Sequence, residues 1–205
     1  MAKPDSDHEL FQLTAARDEE AFGALYHRYQ GRIFRFALLM SGSRAIADDV
    51  TQEVFLALLS GAHRFDPARG PLATYLYGVA RNQVLRVLAR NRLYAPLEDE
   101  PDDEGSAPAH QLAAANDQLG ELARSEILIA TRQAVLALPT HYREVIVLCD
   151  FHEMSHAEAA LALNCAVGTV SSRLNRARRL LAEKLRTGGK VDAASLNIDP
   201  KGCLV

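Results

Sequence analysis

The sequence predicts an all-α protein: two small helical domains joined by a flexible acidic linker, the C-terminal one containing a helix-turn-helix. Three observations predict it. Apolar residues recur every third or fourth position, and no stretch alternates long enough with the period of two that marks a half-buried strand. The chain is rich in Ala, Leu and Arg, lacks Trp and has few other aromatics, a mixture that favours helix. Between Leu93 and Asn116, Glu98, Asp99, Glu100, Asp102, Asp103 and Glu104 sit among Pro96, Pro101, Gly105 and Pro108 without compensating Lys or Arg. Charge repulsion, proline and the lack of apolar spacing make this stretch a linker. The expected division is a first domain over 8–94, the linker over 95–117, a second domain over 118–187 and a loose tail over 188–205.

In the first domain, Phe22, Leu25, Tyr26, Tyr29, Ile33, Phe36, Ala37 and Met40 form the apolar stripe of one long helix that ends near Gly42. A second helix, from about Ala45 to Leu59, buries Val50, Val54, Phe55 and Leu58. Phe65-Asp66-Pro67 through Gly70-Pro71 reads as a turn-rich loop. A third long helix runs from about Leu72 to Arg92, with Leu76, Val79, Ala80, Val84 and either Val87 or Leu88 facing inward.

Beyond the linker, a helix from near Leu119 to about Leu138 stops before Pro139, which suits the first turn of the next helix. That next helix carries Val145, Ile146 and Leu148. Ser155 followed three residues later by Glu158 is a capping box and starts another helix, whose buried face is Ala159, Ala160 and Leu163. Asn164 tolerates the left-handed conformation needed to turn the chain. The last helix follows from Gly168-Thr169-Val170, with Val170, Leu174, Ala177 and Leu181 spaced for burial. Two helices joined by so short a turn have the geometry of a helix-turn-helix.

Composition and termini exclude several classes. A formal net charge of −3 argues against a uniformly basic nucleic-acid binder, but the charge is segregated along the chain. Cys149, Cys165 and Cys203 form no paired framework, which fits a reduced, intracellular chain. The polar, acidic start from Met1 to Glu9 is not a secretory signal, and only two residues follow Cys203, too few for a prenylation box. No apolar run approaches the roughly 20 residues that span a bilayer. The expectation is a cytoplasmic protein with no membrane insertion. His152-Glu153-Met154-Ser155-His156 spells the zinc-protease pattern, which needs both histidines on one face of a continuous helix. The capping Ser155 lies between them, so a helix boundary cuts the motif. No metal, no cofactor and no catalytic residue is expected, and the chain is read as a non-enzyme.

The last helix carries the most informative surface. Thr169, Ser171, Ser172 and Asn175 occupy its first turns, and Arg173, Arg176, Arg178 and Arg179 follow, with Glu183 the single acid before Arg186. A recognition helix enters the major groove by its N-terminal end; arginine reads guanine there, and hydroxyls fix register on phosphates. The plainer alternative is a solvated basic helix. The cap, the turn and the polar face together favour DNA.

Leu138-Pro139, Arg143-Glu144-Val145, the Ser155/Glu158 box and Gly168-Thr169-Val170-Ser171-Ser172-Arg173-Leu174-Asn175-Arg176-Ala177-Arg178 resemble the C-terminal domain of bacterial RNA polymerase sigma factors. The class they are most similar to is the small extracytoplasmic-function (ECF) type. The resemblance implies that this domain recognises the −35 promoter element. Two departures stand out: Ser171 replaces a usual Lys at the DNA face, and Ala159 replaces a usual Ile in the core.

The first domain resembles the same class separately. Asp48-Asp49-Val50-Thr51-Gln52-Glu53-Val54-Phe55-Leu56 is similar to the segment that docks on the polymerase coiled coil, which implies core polymerase binding by Asp49, Gln52 and Glu53. A solvated face shielding the core is the alternative. Phe65-Asp66-Pro67 and Leu76-Tyr77-Gly78-Val79-Ala80-Arg81-Asn82 resemble the segment that captures the melted −10 element. Such capture needs surfaces for stacking, polar groups for an extruded base and cations for phosphate. Phe65 and Tyr75, Asn82, and Arg81 and Arg86 would supply them, and Arg90 and Arg92 extend the basic stripe. Tyr75 stands where the family often has Trp, and Tyr77 reads equally as a core aromatic.

The resemblance spans roughly Glu9 to Arg186, broken by the linker. It implies a sigma factor that binds core RNA polymerase and directs promoter-specific initiation through −35 and −10 elements, with promoter DNA and an anti-sigma factor as further partners. The rival reading is a conventional helix-turn-helix regulator with an N-terminal sensing or dimerisation lobe. It would need neither the acidic patch on the second helix nor the arginine stripe on the third.

Overall fold

A computed structural model describes residues 6–60, 65–94 and 119–187 of the chain. The expected linker over 95–117 and the tail over 188–205, with Cys203, lie outside the described residues. Every regular element among those described is helical.

The first element is one that apolar spacing does not announce. Helix α1 (Asp7–Ala15) is capped by Ser6, whose hydroxyl accepts from the Glu9 amide, and it buries Leu10, Phe11 and Thr14. Its Asp7 carboxylate receives hydrogen bonds from the Arg28 guanidinium and the Tyr29 hydroxyl of the next helix. Burial first, and Asp7 second, raise the Tyr29 phenol well above its ordinary range. Helix α2 (Glu19–Ser41) starts at Asp18, whose carboxylate accepts from the Ala21 amide. It ends at Gly42 with φ 71°. That left-handed turn favours glycine, and a β-carbon there would lie 2.9 Å from a Leu136 methyl. Helices α3 (Arg44–Ser60) and α4 (Leu72–Tyr94) follow, separated by a 3-10 turn at Pro67–Arg69. Leu25, Ile33, Phe36, Met40, Val54, Leu58 and Leu76 fill the space between α2, α3 and α4.

The second group is α5 (Leu119–Leu136), α6 (Thr140–Ile146), a π-helical turn (Val147–Phe151), α7 (His156–Leu163) and α8 (Val167–Thr187). Pro139 stands just before α6, at its N-cap. The capping box forms as expected: Ser155 Oγ accepts from the Glu158 amide, and Glu158 accepts from the Ser155 amide at 2.9 Å. Asn164 takes the left-handed turn with φ 51°. Val170, Leu174, Ala177, Leu181 and Leu185 of α8 face inward, so α8 is amphipathic along its length. The π-helical turn has no counterpart in the sequence reading; it ends with the His152 amide donating to Val147 O.

The two groups, which the sequence reading only joins by a linker, pack directly on each other. Helix α7 lies on α4, and α2 touches α5, α6 and the π-helical turn. Small residues allow the close approach: a β-carbon on Gly78 would make ordinary contact, 3.5 Å, with the Ala162 carbonyl oxygen.

Candidate nucleic-acid interface

The outer face of α8 is built by the periodicity that buries its inner one. Thr169, Ser172, Arg173 and Arg176 follow one another at i, i+3, i+4 and i+7, a single stripe beside the packing face of Val170, Leu174 and Ala177. Ser172, Asn175, Arg176 and Arg179 are exposed, and Thr169 and Arg173 are half-buried. Ser171 lies to the side, its hydroxyl 3.0 Å from His156 Nδ1. Arg178 differs from its neighbours. The sequence placed it among the DNA contacts, yet its guanidinium grips Asp150 through two bonds, Nε to Oδ2 at 3.0 Å and Nη2 to Oδ1 at 2.6 Å. The Asp150 side chain is only 5% exposed, so Arg178 neutralises a buried carboxylate and braces α8 against the π-helical turn.

The second candidate surface is a cleft of about 800 Å3 between the two groups of helices. Phe65, Tyr75, Arg81 and Asn82 line one side of it, and Ala160, Leu161 and Ala162 of α7 with Asn164 and Cys165 of the following turn supply part of the other. Four of the five residues expected at the −10 element are therefore gathered in one place. Phe65 is held there by α1: its ring meets Phe11 edge-on at 4.7 Å and Tyr75 at 5.5 Å. Asn82 is exposed, and Arg86 is exposed outside the cleft with one nitrogen on Gln83. Tyr77, left open between core and DNA, is fully buried beside Phe36.

Arg81 is already engaged. Its Nε donates to Glu144 Oε1 at 2.7 Å and its Nη2 reaches Oε2 at 3.4 Å. Two more polar contacts cross the same boundary. The Tyr77 hydroxyl lies 2.8 Å from His152 Nδ1, and Arg143 Nη1 donates to Met40 O at 2.6 Å. Arg143 also donates to Leu136 O and Leu138 O, tying down carbonyls at the end of α5. Burial, aided by Arg32 and Arg35, lowers the His152 pKa to about 4, and burial raises that of Tyr77. None of these boundary pairs is expected from the sequence. The partners are 63 to 103 residues apart, and no local pattern marks them.

On α3, Asp49, Gln52 and Glu53 are all exposed on adjacent turns, beside buried Val50, Val54 and Phe55. Leu56, which ends the docking-like segment read from the sequence, and Leu59 beyond it are 57% and 51% exposed and continue that face as an apolar extension. The zinc-protease pattern is broken as expected: His152 precedes the Ser155 cap and is buried, whereas His156 opens α7 in solvent. Among the described residues no group of three or more metal-binding side chains comes together, and no helix is long and apolar enough to cross a membrane.

Comparison with known proteins follows the same two-part division. Residues 25–94 match the sigma-70 region 2 family, and residues 128–181 match the sigma-70 region 4 family. The chain is 33% identical to the ECF RNA polymerase sigma factor SigM of Mycobacterium tuberculosis over 184 residues, covering 88% of this chain and 85% of the relative. It is 30% identical to SigW of Bacillus subtilis over 171 residues, 82% of this chain and 91% of that protein. Among solved structures, CnrH in complex with the cytosolic domain of CnrY superposes with a TM-score of 0.66 at 27% identity, covering 89% of this chain and 99% of CnrH. RpoE of Bartonella quintana, solved with the anti-sigma factor NepR, shares the fold with a TM-score of 0.61 at 22% identity, over 80% of this chain and 96% of that one. A conventional regulator has no need of the region 2 match. The chain belongs to the ECF class of RNA polymerase sigma factors, which direct the polymerase to promoters.

Proposed function

We propose that the work of promoter recognition is divided between the two helical groups. The face of α8 formed by Thr169, Ser172, Arg173, Asn175, Arg176 and Arg179 reads the duplex −35 element, with Ser171 at its edge. Arg178 serves that face by holding α8 in place. The cleft residues Phe65, Tyr75, Arg81 and Asn82, with Arg86 beside them, take the unpaired −10 strand. Phe65 and Tyr75 offer stacking surface, Asn82 reads a base edge, and the arginines meet phosphate. Asp49, Gln52 and Glu53 dock core polymerase. The catalytic chemistry is the polymerase's, and the protein acts in the cytoplasm where the polymerase is. An anti-sigma factor is a natural further partner, since both structural neighbours are held by another protein, named as an anti-sigma factor in the RpoE complex.

The observation that carries this reading is the single cleft that collects aromatic, amide and guanidinium groups from the −10 segment. The decisive experiment is in vitro transcription with core polymerase from the source organism on a pool of its promoter fragments. Specific transcripts should appear only when the protein is added. They should be lost with Asn82→Ala while polymerase binding is retained. Transcripts that survive Asn82→Ala unchanged would remove the cleft from the mechanism.

A further inference from the structure

The groups proposed to seize the −10 strand are not free in this structure. Arg81 is paired with a carboxylate from the other half of the molecule, and the cleft that holds Phe65, Tyr75 and Asn82 is walled by α7 and its turn. Glu144 is only 2% exposed, and Arg81 is the partner the structure gives its carboxylate. A carboxylate on a guanidinium occupies the position a phosphate would take, with the same sign of charge and the same paired-oxygen geometry.

We infer that Glu144 is an internal competitor for the −10 strand: by holding Arg81 it latches α7 over α4 and keeps the free protein closed. This rests on the assignment of the cleft to the −10 element, and it adds the regulation of that site.

Three features make the boundary a latch and not a permanent core. First, polar pairs cross it among the apolar contacts: Arg81 with Glu144, Tyr77 with His152, and Arg143 with Met40 O. Contacts of this kind between parts of one chain resemble those of transient complexes, which part and re-form. Second, the losses on opening are uneven. Arg143 loses Met40 O but keeps Leu136 O and Leu138 O within its own half, whereas Glu144 loses Arg81. The ion pair is therefore specific to the closed state. Third, α7 closes on the edge of the cleft, with Leu161 standing over Gly70, 3.2 Å from where a β-carbon would lie. Closed and DNA-bound states exclude each other at Arg81, so whatever binds the open form must shift the balance.

The latch is tested in the full chain with spin labels at Ser60→Cys on α3 and Ala157→Cys on α7, both exposed, in a background where Cys149, Cys165 and Cys203 are replaced by Ser. Pulsed dipolar spectroscopy should give one narrow, short distance for the free protein. Glu144→Gln keeps the shape but removes the charge. It should move a substantial fraction to long, broad distances and tighten equilibrium binding to core polymerase several-fold, because apparent affinity follows the fraction already open. If Glu144→Gln loses its helical circular dichroism, Tyr77→Phe provides the second variant, since it cuts the contact to His152 and leaves the ring in place. Its shift should be in the same direction and smaller.

A wild-type protein already spread over long distances overturns the latch, and so do variants that fold but leave both the distances and the affinity unchanged. Failure of the wild-type chain to initiate transcription with core polymerase would instead strike the functional assignment, while the distance measurement would still report on the boundary.

Discussion

Helices α4 and α8 each carry a row of arginines, and Arg81 of the first stands in the opposite condition to the stripe on the second. On α8 the stripe from Thr169 to Arg176 faces away from the protein, with its packing face turned inward. On α4, Arg81 meets Glu144 from the far half, and α7 stands over the cleft beside it. Charge pattern alone therefore does not tell an available binding surface from an occupied one. A guanidinium needs a counter-charge either way, and the fold decides whether that counter-charge is a ligand or another part of the chain. Arg178 makes the point within α8 itself: only two residues past Arg176 of the open stripe, it is committed to Asp150.

The boundary that occupies Arg81 should fail most completely when Arg143 is removed. Arg143 is 8% exposed and serves three backbone carbonyls, one of them across the boundary. Arg143→Ala leaves those carbonyls without their donor and opens a cavity, a cost on the order of 3 kcal/mol or more. In a chain of this size that corresponds to a melting temperature lower by roughly 10 °C. Thermal circular dichroism checks it, and a melt within about 2 °C of wild type would show that the guanidinium is not structural.

Acid should act next, through His152. It faces the Tyr77 hydroxyl from α4 and lies near Arg32 and Arg35 of α2, so a proton added here is placed among cations and away from water. Its pKa falls from 6.5 to about 4 on folding. A histidine lowered in this way contributes stability that is complete above pH 6.5 and declines as the pH falls from there toward 4. The loss sums to about 3 kcal/mol from this group. Urea titrations at about pH 7 and about pH 4.5 should differ by most of that amount, and His152→Gln should flatten the difference. An identical pH profile in His152→Gln would place the acid sensitivity elsewhere.

Arg176 and Arg178 set the two conditions side by side in one helix. Arg176→Ala should leave the melt unchanged and cost about 1–3 kcal/mol in promoter discrimination if it reads a base. Arg178→Ala should do the reverse: it strands a buried Asp150 and should lower stability by about 1–3 kcal/mol. Asp150→Asn in the same background should recover part of that loss. Paired melting and promoter-binding measurements on the holoenzyme test both, and equal effects of the two substitutions would erase the distinction drawn between them.

The elements that could be read from the sequence are those whose causes are local. The stripe from Phe22 to Met40, the stop at Gly42, the Ser155/Glu158 box and the left-handed Asn164 each depend on residues a few positions apart, and each is found. Helix α1 escapes such a reading because it is short and its anchors lie on α2, where Asp7 finds Arg28 and Tyr29. The π-helical turn has no apolar period of its own. The cleft is half legible: its chemistry can be named from Phe65, Tyr75, Arg81 and Asn82, but not its other wall, because nothing near Arg81 in the sequence points to Glu144.

A weaker perturbation, at a local cause that the sequence does disclose, should still separate the two surfaces. Ser155→Ala removes the hydroxyl that accepts from the Glu158 amide and leaves one end of α7 unsatisfied. Loss of such a cap costs about 1 kcal/mol. Helix α7 supports α8 on one side and covers the cleft on the other, so fraying its first turn weakens both contacts. The stripe on α8 is fixed by its own apolar face and by Arg178, and should keep its shape. Hydrogen exchange should therefore rise in α7 and in the α4 segment beneath it, with α8 protected as before. Faster exchange in α8 with α4 unchanged would mean that α7 is a support for the recognition helix alone.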